Sequence, residues 1–140
     1  MTQYQYIEWP DHGLPVNTSH FLDLSKKADR ANSTRGPLII HCSAGLGRSG
    51  TFIMINSVLA TVKYDMKKNP QKEASINIPE KLLDIRKQRP DMVQTDEQYL
   101  FCYLAINDAI AIMTSTEKQN NYFEFSLIRQ KLLEQTKEDN

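Results

Sequence analysis

Two cysteines, no surplus of either charge and no long apolar run are the first features of this 140-residue chain. With Cys42 and Cys102 alone, at most one bridge can form. One lies in a glycine-rich loop and the other inside a helical apolar pattern, so both read as reduced thiols of a cytoplasmic protein. Seventeen Lys and Arg balance seventeen Asp and Glu. That balance excludes a global field drawing the protein to nucleic acid or acidic lipid, and any bound anion has to be held locally. No stretch approaches ~18 continuous apolar residues, and the opening Met1 to Tyr6 has no basic segment followed by an apolar run. Neither a membrane span nor a secretion signal is expected from this pattern. Internal repeats and low-complexity tracts are also missing.

What is there is a series of punctuated segments. Residues 4–9 are rich in strand formers and stop at Pro10, ahead of the loop Pro10-Asp11-His12-Gly13-Leu14-Pro15. After a cap at Thr18, Phe21, Leu24 and Ala28 share a helical face up to about Ala31, and residues 32–37 break it. Leu38-Ile39-Ile40 reads as a short buried strand, about 37–41. From Arg48 to about Lys67, Phe52, Ile55, Leu59, Val62 and Met66 recur at helical spacing, and Asn69-Pro70 ends the run. A further helix is expected from Asn77, with Pro79 in its first turn and Leu82 and Ile85 facing inward, stopping before Arg89-Pro90. Another runs from Asp96 to about Met113 with Tyr99, Tyr103, Ile106 and Ile110 on one stripe. Residues 121–138 read as a peripheral amphipathic helix. The expectation is an α/β fold of two strands and about five helices with an incomplete sheet, since covered parallel sheets average about five or six strands.

The segment His41-Cys42-Ser43-Ala44-Gly45-Leu46-Gly47-Arg48-Ser49-Gly50 joins strand to helix and carries the chemistry. Five residues separate Cys42 from Arg48, enough to curl around one phosphate. The N–H groups of Ser43, Ala44, Gly45, Leu46 and Gly47 would form an anion-binding nest, with the positive end of the following helix behind them. The same field stabilises a thiolate: free cysteine has a pKa near ~8.5, and one in such a nest beside arginine lies well below it. A cysteine alone is ordinarily a small buried hydrophobe, the reading kept for Cys102. Arg48 offers a planar fork to two phosphate oxygens, Ser49 a hydrogen bond to the departing sulfur, and His41 a support to the loop from behind. An aspartate in a turn is usually only a turn residue. With this loop downstream, Asp11 becomes the candidate proton donor to a leaving group, on a segment able to swing over the site. The same carboxylate would later accept a proton from water held by Gln94 or Gln98.

Three separated motifs together resemble the phosphotyrosine-specific branch of the protein tyrosine phosphatase family. Trp9-Pro10-Asp11-His12-Gly13-Leu14-Pro15 is similar to its mobile acid loop, His41 through Gly50 to its signature loop, and Gln94-Thr95-Asp96-Glu97-Gln98-Tyr99 to its glutamine loop. The likeness runs from about Tyr4 to Ala109. It implies Cys42 as nucleophile, Arg48 as phosphate binder, Asp11 as acid then base, Ser49 as leaving-group aid, Gln94 and Gln98 as water-positioning groups, and Trp9 as a hinge. The implied activity is hydrolysis of phosphotyrosine in proteins through a phosphocysteine, with no metal and no cofactor. Ser43, Ala44 and Leu46 lack the lysines of the inositol-lipid branch, and the dual-specificity branch usually lacks the Trp-Pro-Asp form.

Family domains run to roughly twice this length. The chain is therefore expected to correspond to the C-terminal half of one: residues 1–115 as a partial catalytic domain and 116–140 as a charged amphipathic tail. A missing N-terminal half, or a partner, would complete its sheet. The alternative outcome is a truncated, catalytically weak or inactive fragment that acts at most as a phosphoprotein-binding module. Asp91, just before the glutamine loop, is expected to narrow or recharge the mouth of the pocket.

Overall fold

The computed structural model describes residues 2–32, 36–71 and 75–114. Four helices follow one another: α1 (Thr18–Asn32), α2 (Gly47–Lys68), α3 (Ile78–Gln88) and α4 (Asp96–Thr114). Their bounds follow local chemistry. Asn17, rather than Thr18, caps α1: its Oδ1 accepts from the His20 N–H at 2.8 Å. Asn77 caps α3 by accepting from the Glu80 N–H at 3.0 Å, with a proline in the first turn. Thr18 is left to hydrogen-bond Asp108 on α4, which ties the two helices together.

Helix α2 is the central element, packed against α4 and α3, while α1 packs against α4. Phe21, Met54, Ile55 and Val62 are fully enclosed, and Phe21 meets Trp9, Phe52 and Phe101 edge-on at 5.6–5.8 Å between ring centres. The stripe expected on α4 is rotated. Tyr103 is exposed and Tyr99 half-buried, whereas Gln98, Phe101, Cys102, Ala105, Ile106 and Ala109 face inward. A helix that touches two neighbours buries a broad face, and period alone does not say which way that face points.

The α/β expectation is overturned: among the described residues there is no strand. Neither residues 4–9 nor 37–41 form a ladder, and a strand exists only through the partner that takes up its N–H and C=O groups. Ile39, expected to be buried, is 83% exposed, and Leu38 is 42% exposed. The helix expected at 121–138 and the boundary at 115/116 lie outside the described residues.

Candidate active site

The loop of residues 43–46 runs directly into the first turn of α2. Gly45 has φ +73°, a left-handed conformation that glycine accepts without steric cost. Cys42 is half-buried, and its Sγ accepts the Gly45 N–H at 3.2 Å. Burial alone would push the thiol pKa up. The Ser49 hydroxyl and the N–H groups of Ser49, Gly45 and Leu46 outweigh that, and the net displacement is downward, toward the thiolate. The Ser49 Oγ is buried with no other partner among the described residues, which leaves its proton to the sulfur. Cys102 is the opposite case: enclosed among apolar groups, its thiol is pushed up to about 12 by burial.

Arg48 gathers three acceptors from two segments. Its Nη1 donates to the Trp9 carbonyl at 3.2 Å, and its Nη2 donates to Ser43 Oγ at 2.6 Å and approaches Asp11 Oδ1 at 3.2 Å. Its Nε is buried with no acceptor among the described residues. The acid loop thus lies over the cysteine loop, joined to it through one guanidinium. Trp9 fixes that loop from below: its ring is buried in the aromatic cluster and its Nε1 donates to the Gly13 carbonyl at 2.9 Å. Asp11 itself is about half exposed, and an ion pair so hydrated contributes roughly 0–1 kcal/mol. A phosphate dianion can therefore displace the carboxylate from Arg48 at little cost.

Both glutamines reach the same place. A Cβ placed on Gly47 would lie 2.5 Å from Gln94 Oε1 and 3.0 Å from Gln98 Nε2. Their environments differ. Gln94 is exposed, whereas Gln98 is fully buried and forms a capping box with Thr95: the Gln98 N–H donates to Thr95 Oγ1 at 3.1 Å, and Gln98 Oε1 accepts from the N–H groups of Thr95 and Gln94. Gln98 Nε2 also donates to the Gly13 carbonyl at 3.4 Å, linking α4 to the acid loop. His41 is exposed, so the support expected from behind the loop is not a packed one. Asp91 is exposed in the turn between α3 and α4.

Sequence reasoning missed the buttress of the cysteine loop. Arg86 donates to the Met92 and Val93 carbonyls, each at 2.9 Å, and the Val93 N–H donates to the Leu46 carbonyl at 3.1 Å. Arg89 Nη2 donates to the Ala44 carbonyl at 3.1 Å. Val93 stands at φ +64°, an outlier for a β-branched residue that its surroundings must enforce. The one available signal was a pair of arginines three residues apart, Arg86 and Arg89, leading into a Pro-Asp turn. Gly50 makes the close approach possible: a Cβ there would lie 2.5 Å from the Val93 nitrogen and 3.2 Å from Met92 backbone atoms. In an open helix Gly→Ala gains up to about 1 kcal/mol. Here Gly50→Ala is expected to reverse that sign and lower stability by about 2 kcal/mol, because backbone cannot swing aside; a denaturant melt measures it.

Among the described residues no helix is long and apolar enough to cross a membrane. The sequence profile described as protein-tyrosine phosphatase matches residues 1–108. The chain is 46% identical over 118 residues to tyrosine-protein phosphatase 2 of Dictyostelium discoideum, covering 83% of this chain and 30% of that protein. It is 42% identical over 110 residues to tyrosine-protein phosphatase 99A of Drosophila melanogaster, covering 78% and 8%, respectively. With tyrosine-protein phosphatase non-receptor type 20 of Homo sapiens it shares 40% identity over 101 residues, 72% of this chain and 22% of that protein. The chain thus spans less than a third of the length of these relatives. With the profile covering most of it, the chain belongs to the protein-tyrosine phosphatase family.

Proposed function

We propose that this chain, acting in the cytoplasm, hydrolyses phosphotyrosine in proteins through a phosphocysteine intermediate, within a catalytic unit of residues 1–115 followed by a tail at 116–140. The observation that carries this is the meeting of three groups: a thiol displaced toward thiolate, a guanidinium bonded to the side chain of the next residue, Ser43, and a carboxylate on that guanidinium. The phosphate would replace Asp11 on Arg48 and lie on the N–H groups of Ser43 to Gly47. Cys42 Sγ attacks phosphorus, the P–O bond to the tyrosyl oxygen breaks, and the Asp11 carboxyl gives its proton to that oxygen. Water held by Gln94, with Gln98 fixing the geometry around it, then attacks phosphorus while Asp11 takes its proton. The S–P bond breaks and the Ser49 hydroxyl steadies the returning thiolate.

Leaving-group dependence tests the acid. Asp11→Asn is expected to lower turnover of phenyl phosphate by about 10²–10³. An aryl phosphate with a nitro-substituted, weakly basic leaving group needs less protonation and should lose several-fold less. Equal loss for both would remove Asp11 from acid catalysis. A second reading, a phosphoprotein-binding module without turnover, is favoured by the exposed Leu38 and Ile39 immediately upstream of Cys42. Phosphopeptide binding without hydrolysis by the unaltered chain would select it.

A further inference from the structure

Arg89 makes no part of the phosphate cradle, yet it holds one peptide of that cradle from outside. The Ala44 carbonyl accepts from Arg89 Nη2 at 3.1 Å, and the N–H of the same peptide unit, on Gly45, points at Cys42 Sγ at 3.2 Å. In a trans peptide these two groups lie on opposite sides, so the two bonds fix its plane. Local conformation does not fix it: glycine accepts either sign of φ, and a half-turn of the 44–45 peptide costs little backbone energy. That half-turn would aim a carbonyl oxygen at the thiolate.

We propose that Arg89 is a positioning residue for Cys42: its guanidinium latches the Ala44 carbonyl outward and so keeps the Gly45 N–H aimed at the sulfur. The catalytic consequence rests on the reading of Cys42 as nucleophile; the latch does not. A cationic donor on the carbonyl also polarises the peptide and strengthens its N–H. The neighbouring segment acts alike, since the Val93 N–H takes up the Leu46 carbonyl two residues on, with Arg86 bracing Val93. The other charged or titratable groups on the segments that meet the cysteine loop are Arg48 in its pair with Asp11, His41 one residue before the thiol, and Arg86 and Asp91 on either side of Arg89 in sequence.

Alkylation of the full chain by iodoacetamide across pH reads the thiolate directly, with Cys42→Ser as the blank for Cys102. Arg89→Met is expected to move the profile to higher pH and to slow alkylation near about pH 6 by roughly threefold to tenfold. Arg89→Lys, which keeps charge and a donor, should restore most of it. The difference between Arg89→Met and the unaltered chain should persist at about 1 M salt, because a rotated peptide is not screened. Superposed profiles would overturn the latch, and so would a difference that vanishes in salt, which is what plain attraction between charges gives. Arg89 is exposed, so helical circular dichroism should survive its replacement. If Arg89→Met loses it, Arg89→Lys decides: an unmoved profile supports the latch and a displaced one rejects it. An unaltered chain that alkylates as expected but turns over no aryl phosphate would defeat the phosphatase reading alone.

Discussion

Cys42→Ser is expected to reduce aryl phosphate turnover by roughly 10⁵-fold or more while leaving phosphate binding nearly intact. The asymmetry follows from what surrounds position 42. Backbone N–H groups and one hydroxyl bring a thiol down toward its ionised form. A serine hydroxyl starts far higher and needs a base to take its proton as it attacks. Asp11, the carboxylate held against Arg48, is assigned there to the leaving group and not to position 42. The amides and the guanidinium that would hold phosphate are untouched by the exchange. Single-turnover assays give the rate, and protection of the fold by inorganic phosphate against heat gives the binding. Undiminished turnover in the serine variant would remove Cys42 from the role of nucleophile.

The four described helices were legible because their ends are written locally. Asn77 followed by Pro79, Asn69-Pro70 and Arg89-Pro90 each punctuate the chain within a turn of the observed limits. The two strands were misread because Tyr4 to Trp9 and Leu38 to Ile40 look like strands by composition alone, and composition does not supply the neighbouring backbone that a strand requires. The site divides the same way. Cys42, Ser49 and Arg48 sit within one loop and one helical turn, so spacing alone brought them together. Arg89 and Ala44 are 45 positions apart, and Arg86 works through a turn whose positive φ at Val93 has no glycine to announce it. Gln98 was read as a water-positioning group, yet Thr95-x-x-Gln98 is also a capping box, and its side chain carries that task together with the link to Gly13.

Arg48→Lys separates a phosphate clamp from a structural brace. Arg48 reaches Trp9, Ser43 and Asp11 at once because its donors are spread over a rigid plane, and its Nε remains as a further donor. An ammonium keeps the charge but presents it as a point, so it can neither grip two phosphate oxygens in parallel nor hold the Trp9 carbonyl and the Ser43 hydroxyl together. The reacting phosphoryl group spreads charge over its equatorial oxygens, and loss of a planar partner to them costs about 10³–10⁵ in kcat. Stability should fall by only about 1 kcal/mol, because the Asp11 pair is hydrated and contributes roughly 0–1 kcal/mol, and the ammonium can keep one of the two bonds to Trp9 and Ser43, the other contributing about 1 kcal/mol net. The expected result is therefore a collapse of kcat with a melting temperature within a few degrees of the unaltered chain, and a smaller rise in KM because the charge remains. A fall in activity matched by several kcal/mol of lost stability would make Arg48 a brace between the two loops, with its hold on phosphate secondary.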